Sequence, residues 1–138
     1  MHGVGRRLPL GSPIYFGGIT GALTSFLERL VFPVTTYEKD VDTYYTGKKD
    51  FALFYTMNVP DALCERMYSQ VFTGKERLVA RFNGECLTYC ATDTKQFDDY
   101  SKYLASRYDP EAKAERNRTQ FPVDLENARR IGRRLASK

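Results

Sequence analysis

The chain has 138 residues, 42% of them hydrophobic, with a mean hydropathy of −0.49, which describes one ordinary domain with enough apolar material for a core. Its 21 Lys and Arg against 17 Asp and Glu leave a formal charge of only +4, too small a surplus to call for a nucleic-acid partner. One histidine, His2, and three cysteines, Cys64, Cys86 and Cys90, exclude a disulfide framework, a Ser-His-Asp or Cys-His nucleophile and a zinc site of ordinary spacing.

In chain order, Met1–Leu10 reads as a frayed lead-in and Leu8-Pro9-Leu10-Gly11-Ser12-Pro13 as the end of a strand. Ile19, Leu23, Phe26, Leu27, Leu30 and Val31 recur on one helix face, with Thr20 as the cap and Pro33 as the stop. Asp50–Met57 is short and continuously apolar or aromatic, bounded by Gly47-Lys48-Lys49 and Asn58-Val59-Pro60. It predicts a strand buried on both faces. Asp61 to about Phe72 places Leu63, Met67, Tyr68 and Val71 on a helix face, and a separate basic amphipathic piece runs from about Lys75 to Phe82. Cys86–Ala91, after Asn83-Gly84, reads as another buried strand.

Beyond it, Phe97, Tyr100, Leu104 and Tyr108 form a stripe that predicts a helix, with Asp98 and Asp99 in its first turn and Pro110 as its end. The polar segment Ala112–Gln120 reads as a solvated connector. Phe121-Pro122 opens a C-terminal helix with Leu125, Ala128, Gly132 and Leu135 on one side and Arg129, Arg130, Arg133 and Arg134 on the other. Strands alternating with helices predict an α/β fold with a parallel sheet. Two full strands and a stub fall short of the roughly five of an open sheet, so the front of the fold is expected to be missing.

Open parallel sheets bind ligands in the loops at the carboxyl ends of their strands. Three such loops are legible: Gly11–Gly18, Tyr55–Pro60 and Ala91–Phe97. The first combines flanking glycines, a proline and the adjacent Tyr15 and Phe16, which offers backbone N–H groups beside a flat apolar wall and suits a planar, hydrogen-bonding ring. The same residues also suit a plain structural role, with the aromatics plugging the sheet–helix seam.

Gly11-Ser12-Pro13-Ile14-Tyr15-Phe16-Gly17-Gly18-Ile19-Thr20-Gly21, running into Phe26-Leu27-Glu28-Arg29-Leu30, resembles the third strand–loop–helix of the flavodoxin-like NAD(P)H-dependent FMN reductases, in the branch of multimeric flavodoxins and iron-sulfur flavoproteins. Phe54–Pro60, Thr92-Asp93-Thr94 with Gln96–Tyr103, and Phe121-Pro122 are similar to further segments of that family. The resemblance implies a flavodoxin-like three-layer αβα fold, bound FMN, and hydride transfer from a nicotinamide cofactor, NAD(P)H, to the flavin and on to an acceptor. It further implies that Ser12, Pro13, Ile14, Tyr15, Phe16 and Gly17 lie against the flavin ring, that Thr56, Met57 and Asn58 border it, and that Asp93 and Phe97 lie on its far rim. The flavin carries the electron chemistry itself, so no catalytic side chain and no metal is expected.

The family's first strand, its Gly/Ser/Thr-rich phosphate loop and the helix that follows have no counterpart here. Single charge-assisted hydrogen bonds contribute about 1.5–3 kcal/mol, so losing several weakens FMN binding by roughly a thousandfold. The expectation is therefore a single flavodoxin-like domain over residues 1–138, truncated at its N-terminus, that holds FMN weakly and self-associates into a homo-oligomer through an uncovered sheet edge. The alternative is a non-catalytic remnant or interaction module with weak or no FMN binding.

Smaller signals read as structural. The cysteines suit packing, the arginine cluster a solvated helix face, and Tyr100, Tyr103 and Tyr108 a core or an interface. No apolar run approaches the roughly 20 residues that span a bilayer, and Met1–Leu10 carries no signal-type stretch. A cytoplasmic location with no membrane partner is expected. Ten Tyr and nine Phe without a Trp leave aromatic surface as the unusual resource.

Overall fold

Alternate residues of a strand face opposite ways, and in the strand Lys49–Thr56 both sets are buried: Phe51, Leu53 and Tyr55 on one side, Ala52 on the other. Such a strand has to sit inside a sheet covered on both faces. The computed structural model describes residues 6–137 and places it there. The sheet has four strands in the order β2-β1-β3-β4, where β1 is Arg7–Tyr15, β2 Gly18–Ile19, β3 Lys49–Thr56 and β4 Asn83–Ala91. The pairs β1–β3 and β3–β4 are parallel and β1–β2 is antiparallel. Register sets Leu10 beside Leu53 and Thr88, and Ser12 beside Tyr55 and Cys90.

Helix α1 (Gly21–Val31) follows the β1–β2 hairpin and leads to β3, and α2 (Asp61–Val79) links β3 to β4. Both pack on the Phe51–Leu53–Tyr55 side. Leu27 and Val31 of α1 meet Phe51, Val79 and Phe82, while Cys64, Tyr68 and Phe72 of α2 meet Leu53, Tyr55 and Met57. The expected α/β class with a mostly parallel sheet is what forms, compatible with a flavodoxin-like fold. Thr20 caps α1 as read from the sequence, its hydroxyl accepting from the Leu23 N–H at 3.3 Å, and Pro33 lies in the 3-10 turn Phe32–Val34 that follows.

Several readings are corrected. The two helical pieces split near Gly74 are one helix, α2, because Cys64, Tyr68, Phe72 and Val79 hold a continuous buried face, which outweighs the roughly 1 kcal/mol cost of an interior glycine. The stripe Phe97–Tyr108 is not a helix; only the 3-10 turn Tyr100–Lys102 forms, and the aromatics pack against one another instead. Pro110 opens a helix rather than closing one. Asp109 accepts the N–H groups of Glu111 and Ala112, and α3 runs Pro110–Thr119 through the segment read as a connector.

The last helix, α4 (Phe121–Ala136), begins where expected. Its inward residues are Asp124 and Leu135, while Leu125 is exposed. The register is set by polar contacts: the Tyr89 hydroxyl donates to Asp124 at 2.8 Å and accepts from Asn127 at 3.1 Å. Arg134 pairs with Glu85 in the same strand. Gly84 has no substitute, since a Cβ there would lie 2.0 Å from the Lys49 carbonyl oxygen.

Arg7–Leu10, read as lead-in, belong to β1. Residues 1–5, and with them His2, lie outside the described residues. Among the described residues no helix is long and apolar enough to cross a membrane.

Candidate functional site

The carboxyl ends of β1, β3 and β4 meet at one side of the sheet, and the segments leaving β3 and β4 are bound to each other. The Met57 N–H donates to the Ala91 carbonyl at 3.0 Å, the Asp93 N–H to the Val59 carbonyl at 2.9 Å, and the Thr94 N–H to the Met57 carbonyl at 3.0 Å. The Thr94 hydroxyl adds a second bond to the Met57 carbonyl at 3.1 Å. These contacts fix the rim of a cavity of about 180 Å³ lined by Pro13, Ile14 and Tyr15 from β1, Thr56, Met57 and Asn58 from β3 and its loop, and Thr94, Lys95 and Gln96 after β4. All three loops legible in the sequence contribute.

The structure divides the sequence-derived site residues. Pro13, Ile14, Tyr15, Thr56, Met57 and Asn58 line the cavity. Ser12 does not: it is 5% exposed and its hydroxyl accepts the Thr20 N–H at 3.0 Å while donating to the Pro13 carbonyl at 2.7 Å. Met57 sends its side chain into the core with Cys64, Tyr68 and Phe72. Asp93 points back into an ion pair with Lys113. Phe97 stacks on Tyr103, ring centroids 4.1 Å apart and planes 16° from parallel.

Phe16 and Gly17 are the two central residues of a hairpin, not of a strand-to-helix loop, because Tyr15 pairs with Gly18. Both have positive φ, 49° and 82°, the signature of a type I′ turn. A bulky residue in the left-handed region is strained. Phe16 is nonetheless fully exposed, with Tyr15 exposed beside it, so the strain is not compensated by burial.

Lys113 is the residue the sequence reading missed. It is 6% exposed, donates to Asp93 and Asn58, lies 3.5 Å from the Thr94 carbonyl and sits 5.5 Å from the centroid of the Tyr108 ring. One ammonium thus ties the loop after β3 to the loop after β4. The signal that finds it is Asp109-Pro110, an N-cap followed by proline at the first helical position, which places Lys113 on the first turn of α3. A second polar group lies alongside: Arg116 Nη2 meets Asp61 at 3.1 Å and Thr92 at 3.4 Å, and Thr92 hydrogen-bonds Asp61. The Thr92 bond, before the Arg116 bond and charge, holds the Asp61 carboxyl below the usual range.

A larger open cavity of about 740 Å³ lies at the C-terminal end of α1, lined by Glu28, Arg29, Phe32 and Pro33 among others. It lies at the end of α1 opposite the β1–β2 hairpin, away from the strand carboxyl ends where open sheets place ligands. Among the described residues no group of three or more His, Cys, Asp or Glu is placed to hold a metal ion. The thiols are not activated: burial, and then the neighbouring Cys64, push Cys90 up to about 12. Burial, and then Glu76, push Cys86 up to about 11. No protein-family model matches the chain, and no curated protein matches it.

Proposed function

We propose that this chain is the ring-side portion of a flavodoxin-like three-layer αβα domain, holding FMN at the carboxyl ends of β1, β3 and β4 and acting as an NAD(P)H-dependent FMN oxidoreductase. The observation that carries this reading is the convergence of Pro13–Tyr15, Thr56–Asn58 and Thr94–Gln96 on a single cavity. That is where a parallel α/β sheet presents its ligand-binding loops. The layering is supported by α1 and α2 packing on one face of the sheet while α4 reaches Tyr89 and Glu85. These alternate along β4 with the residues that face α2.

The fit to FMN is uneven. Tyr15 offers an exposed ring beside a polar rim of Thr56, Asn58 and Gln96, which suits the edge of an isoalloxazine. The phosphate is not served: Lys95 is the only cation in the lining, and the Leu23 and Thr20 amides at the start of α1 are spent on Thr20 and Ser12 hydroxyls. A volume of about 180 Å³ is also below the roughly 300–1,000 Å³ of typical small-molecule sites. Bound flavin would supply the hydride and electron transfer. The chain's own residues would hold the ring at Tyr15 and fix the loops through Lys113.

The same small volume and unserved phosphate favour a second reading, a flavodoxin-like interaction module that does not bind the cofactor. Titrating FMN with the purified chain and following flavin fluorescence separates the two. The flavoprotein reading expects saturable quenching with a Kd in the micromolar range or weaker, roughly a thousandfold above a full phosphate site. An unchanged flavin signal up to about 1 mM protein, a free energy of about 4 kcal/mol, leaves the interaction module.

A further inference from the structure

The sheet exposes two edges, β4 on one side and, on the other, the part of β1 that the two-residue β2 leaves unpaired. The Asp50 N–H donates to the Arg6 carbonyl at 2.7 Å. In a parallel pair the N–H and C=O of one residue point to the same neighbour, and the direction alternates along the strand. Even-numbered residues of β1 therefore face β3, and Arg7, Pro9, Gly11 and Pro13 present their main chain outward. Two of those four are prolines, which have no N–H to donate and blunt an edge.

On β4 the Met57 N–H bonds the Ala91 carbonyl, so Leu87, Tyr89 and Ala91 face β3. Cys86, Thr88 and Cys90 turn their N–H and C=O groups outward. None is a proline, all three are half-buried, and among the described residues no further strand pairs with β4.

Beside that edge runs a groove of about 480 Å³ between α2 and β4, with Glu65, Ser69 and Glu76 on the helix side and Thr88 and Cys90 on the strand side. Asp61, at one end, is neutralised by Arg116. Glu76 accepts the Thr88 hydroxyl at 2.5 Å, and no Lys or Arg lines the groove. Glu65 and Glu76 are eleven residues apart on α2, about three turns and therefore on one face, roughly 16 Å from each other along the axis.

We propose that the groove between α2 and the β4 edge receives an extended peptide segment that joins the sheet as a fifth strand and carries Lys or Arg at positions i and i+4. Main-chain bonds to Cys86, Thr88 and Cys90 supply affinity, as in other strand additions. The two basic residues, about 13 Å apart on one face of the added strand, reach Glu65 and Glu76. A second copy of this chain is a poor occupant. The twofold axis that pairs two β4 edges antiparallel stands perpendicular to the sheet, so α2 lies beside α2 and Glu65 and Glu76 approach their own copies.

The test uses the full chain and a fluorescein-labelled heptapeptide, Thr-Lys-Val-Thr-Val-Lys-Thr, read by fluorescence anisotropy. The proposal expects saturable binding that weakens about tenfold when the second lysine is moved one position to the opposite face, or when the protein carries Glu65→Gln with Glu76→Gln. N-methylation of one alternate set of peptide amides should abolish binding, and methylation of the other set should leave it within about threefold, since only one set can face β4. These peptide arms leave the protein unaltered, so they hold even if the glutamine variant folds poorly. No saturable binding at about 1 mM peptide, equal tolerance of both methylated sets, or indifference to lysine spacing overturns the proposal. So does a dimer in sedimentation velocity that excludes the peptide.

Discussion

Lys113 on α3 and Asp93 in the loop after β4 form an ion pair whose lysine side chain is 8% exposed and whose carboxylate is 33% exposed. The two partners are unequal in what they lose on mutation. Removing the lysine leaves a carboxylate that water can reach, whereas removing the carboxylate leaves a buried ammonium with Asn58 and the Thr94 carbonyl as its polar neighbours. Lys113→Met is expected to cost about 1–3 kcal/mol and Asp93→Ala about 3 kcal/mol or more. Urea unfolding of the two variants checks the order, and a larger loss for Lys113→Met would contradict it.

Ser12 and Tyr15 share one loop in the sequence, and the structure assigns them different duties. The Ser12 hydroxyl serves the Thr20 amide at the start of α1, while Tyr15 is exposed at the cavity. Ser12→Ala is expected to destabilise by about 1–2 kcal/mol through an unsatisfied amide with little change in flavin affinity. Tyr15→Ala is expected to stay within about 0.5 kcal/mol of the parent in stability and to weaken FMN binding about tenfold, the order of one aromatic contact. Paired thermal melts and flavin titrations distinguish the two, and equal effects of both substitutions on flavin affinity would remove Tyr15 from the site.

The strands β3 and β4 were legible because a short apolar run between turn residues has few other fates, although β4 is a half-buried edge strand and not the buried one its sequence predicts, and α1 was legible because Thr20 and Pro33 bracket its apolar face. The aromatic stripe from Phe97 to Tyr108 misled: helical spacing arose in residues that pack as a loop cluster, with the Tyr100 hydroxyl accepting from the Gln96 N–H at 2.9 Å. α3 escaped because it has almost no apolar face, Lys113 being its one buried residue. A polar segment signals a helix only through its cap, and Asp109-Pro110 supplied that cap. The cavity's three segments were named from strand-end position, yet the lysine that binds two of them together lies on a different element, and no spacing rule connects positions 58, 93 and 113.

Phe16 occupies a position that type I′ turns give to asparagine or aspartate ahead of glycine. Its φ of 49° costs a bulky residue about 1–2 kcal/mol, and its exposed ring gains nothing in return from burial. Phe16→Asn restores the Asn-Gly dipeptide and is expected to raise stability by about 0.5–1 kcal/mol. A ring kept at that cost is a functional candidate, so the same variant is expected to weaken flavin binding. If Phe16→Asn is stabilising and leaves flavin affinity unchanged, the aromatic tip has no part in the site.

The raised thiols predict an alkaline limb of stability. Burial, and then Glu76, hold Cys86 at about 11, and burial, and then Cys64, hold Cys90 at about 12. An unfolded thiol ionises near about 8.5. Between that value and about 11–12 the folded chain binds more protons than the unfolded one. Stability is therefore complete below about pH 8.5 and falls as pH rises through the window. Tyr55, raised by burial in the same core, adds a loss of the same sign above about pH 10. Cys64 is raised by burial as well, so urea midpoints measured from pH 7.5 to 10.5 should decline from about pH 8.5 in the parent and only from about pH 10 in a Cys64→Ala, Cys86→Ala, Cys90→Ala variant. A flat profile in the parent over that range would mean that the folded thiols ionise as freely as unfolded ones.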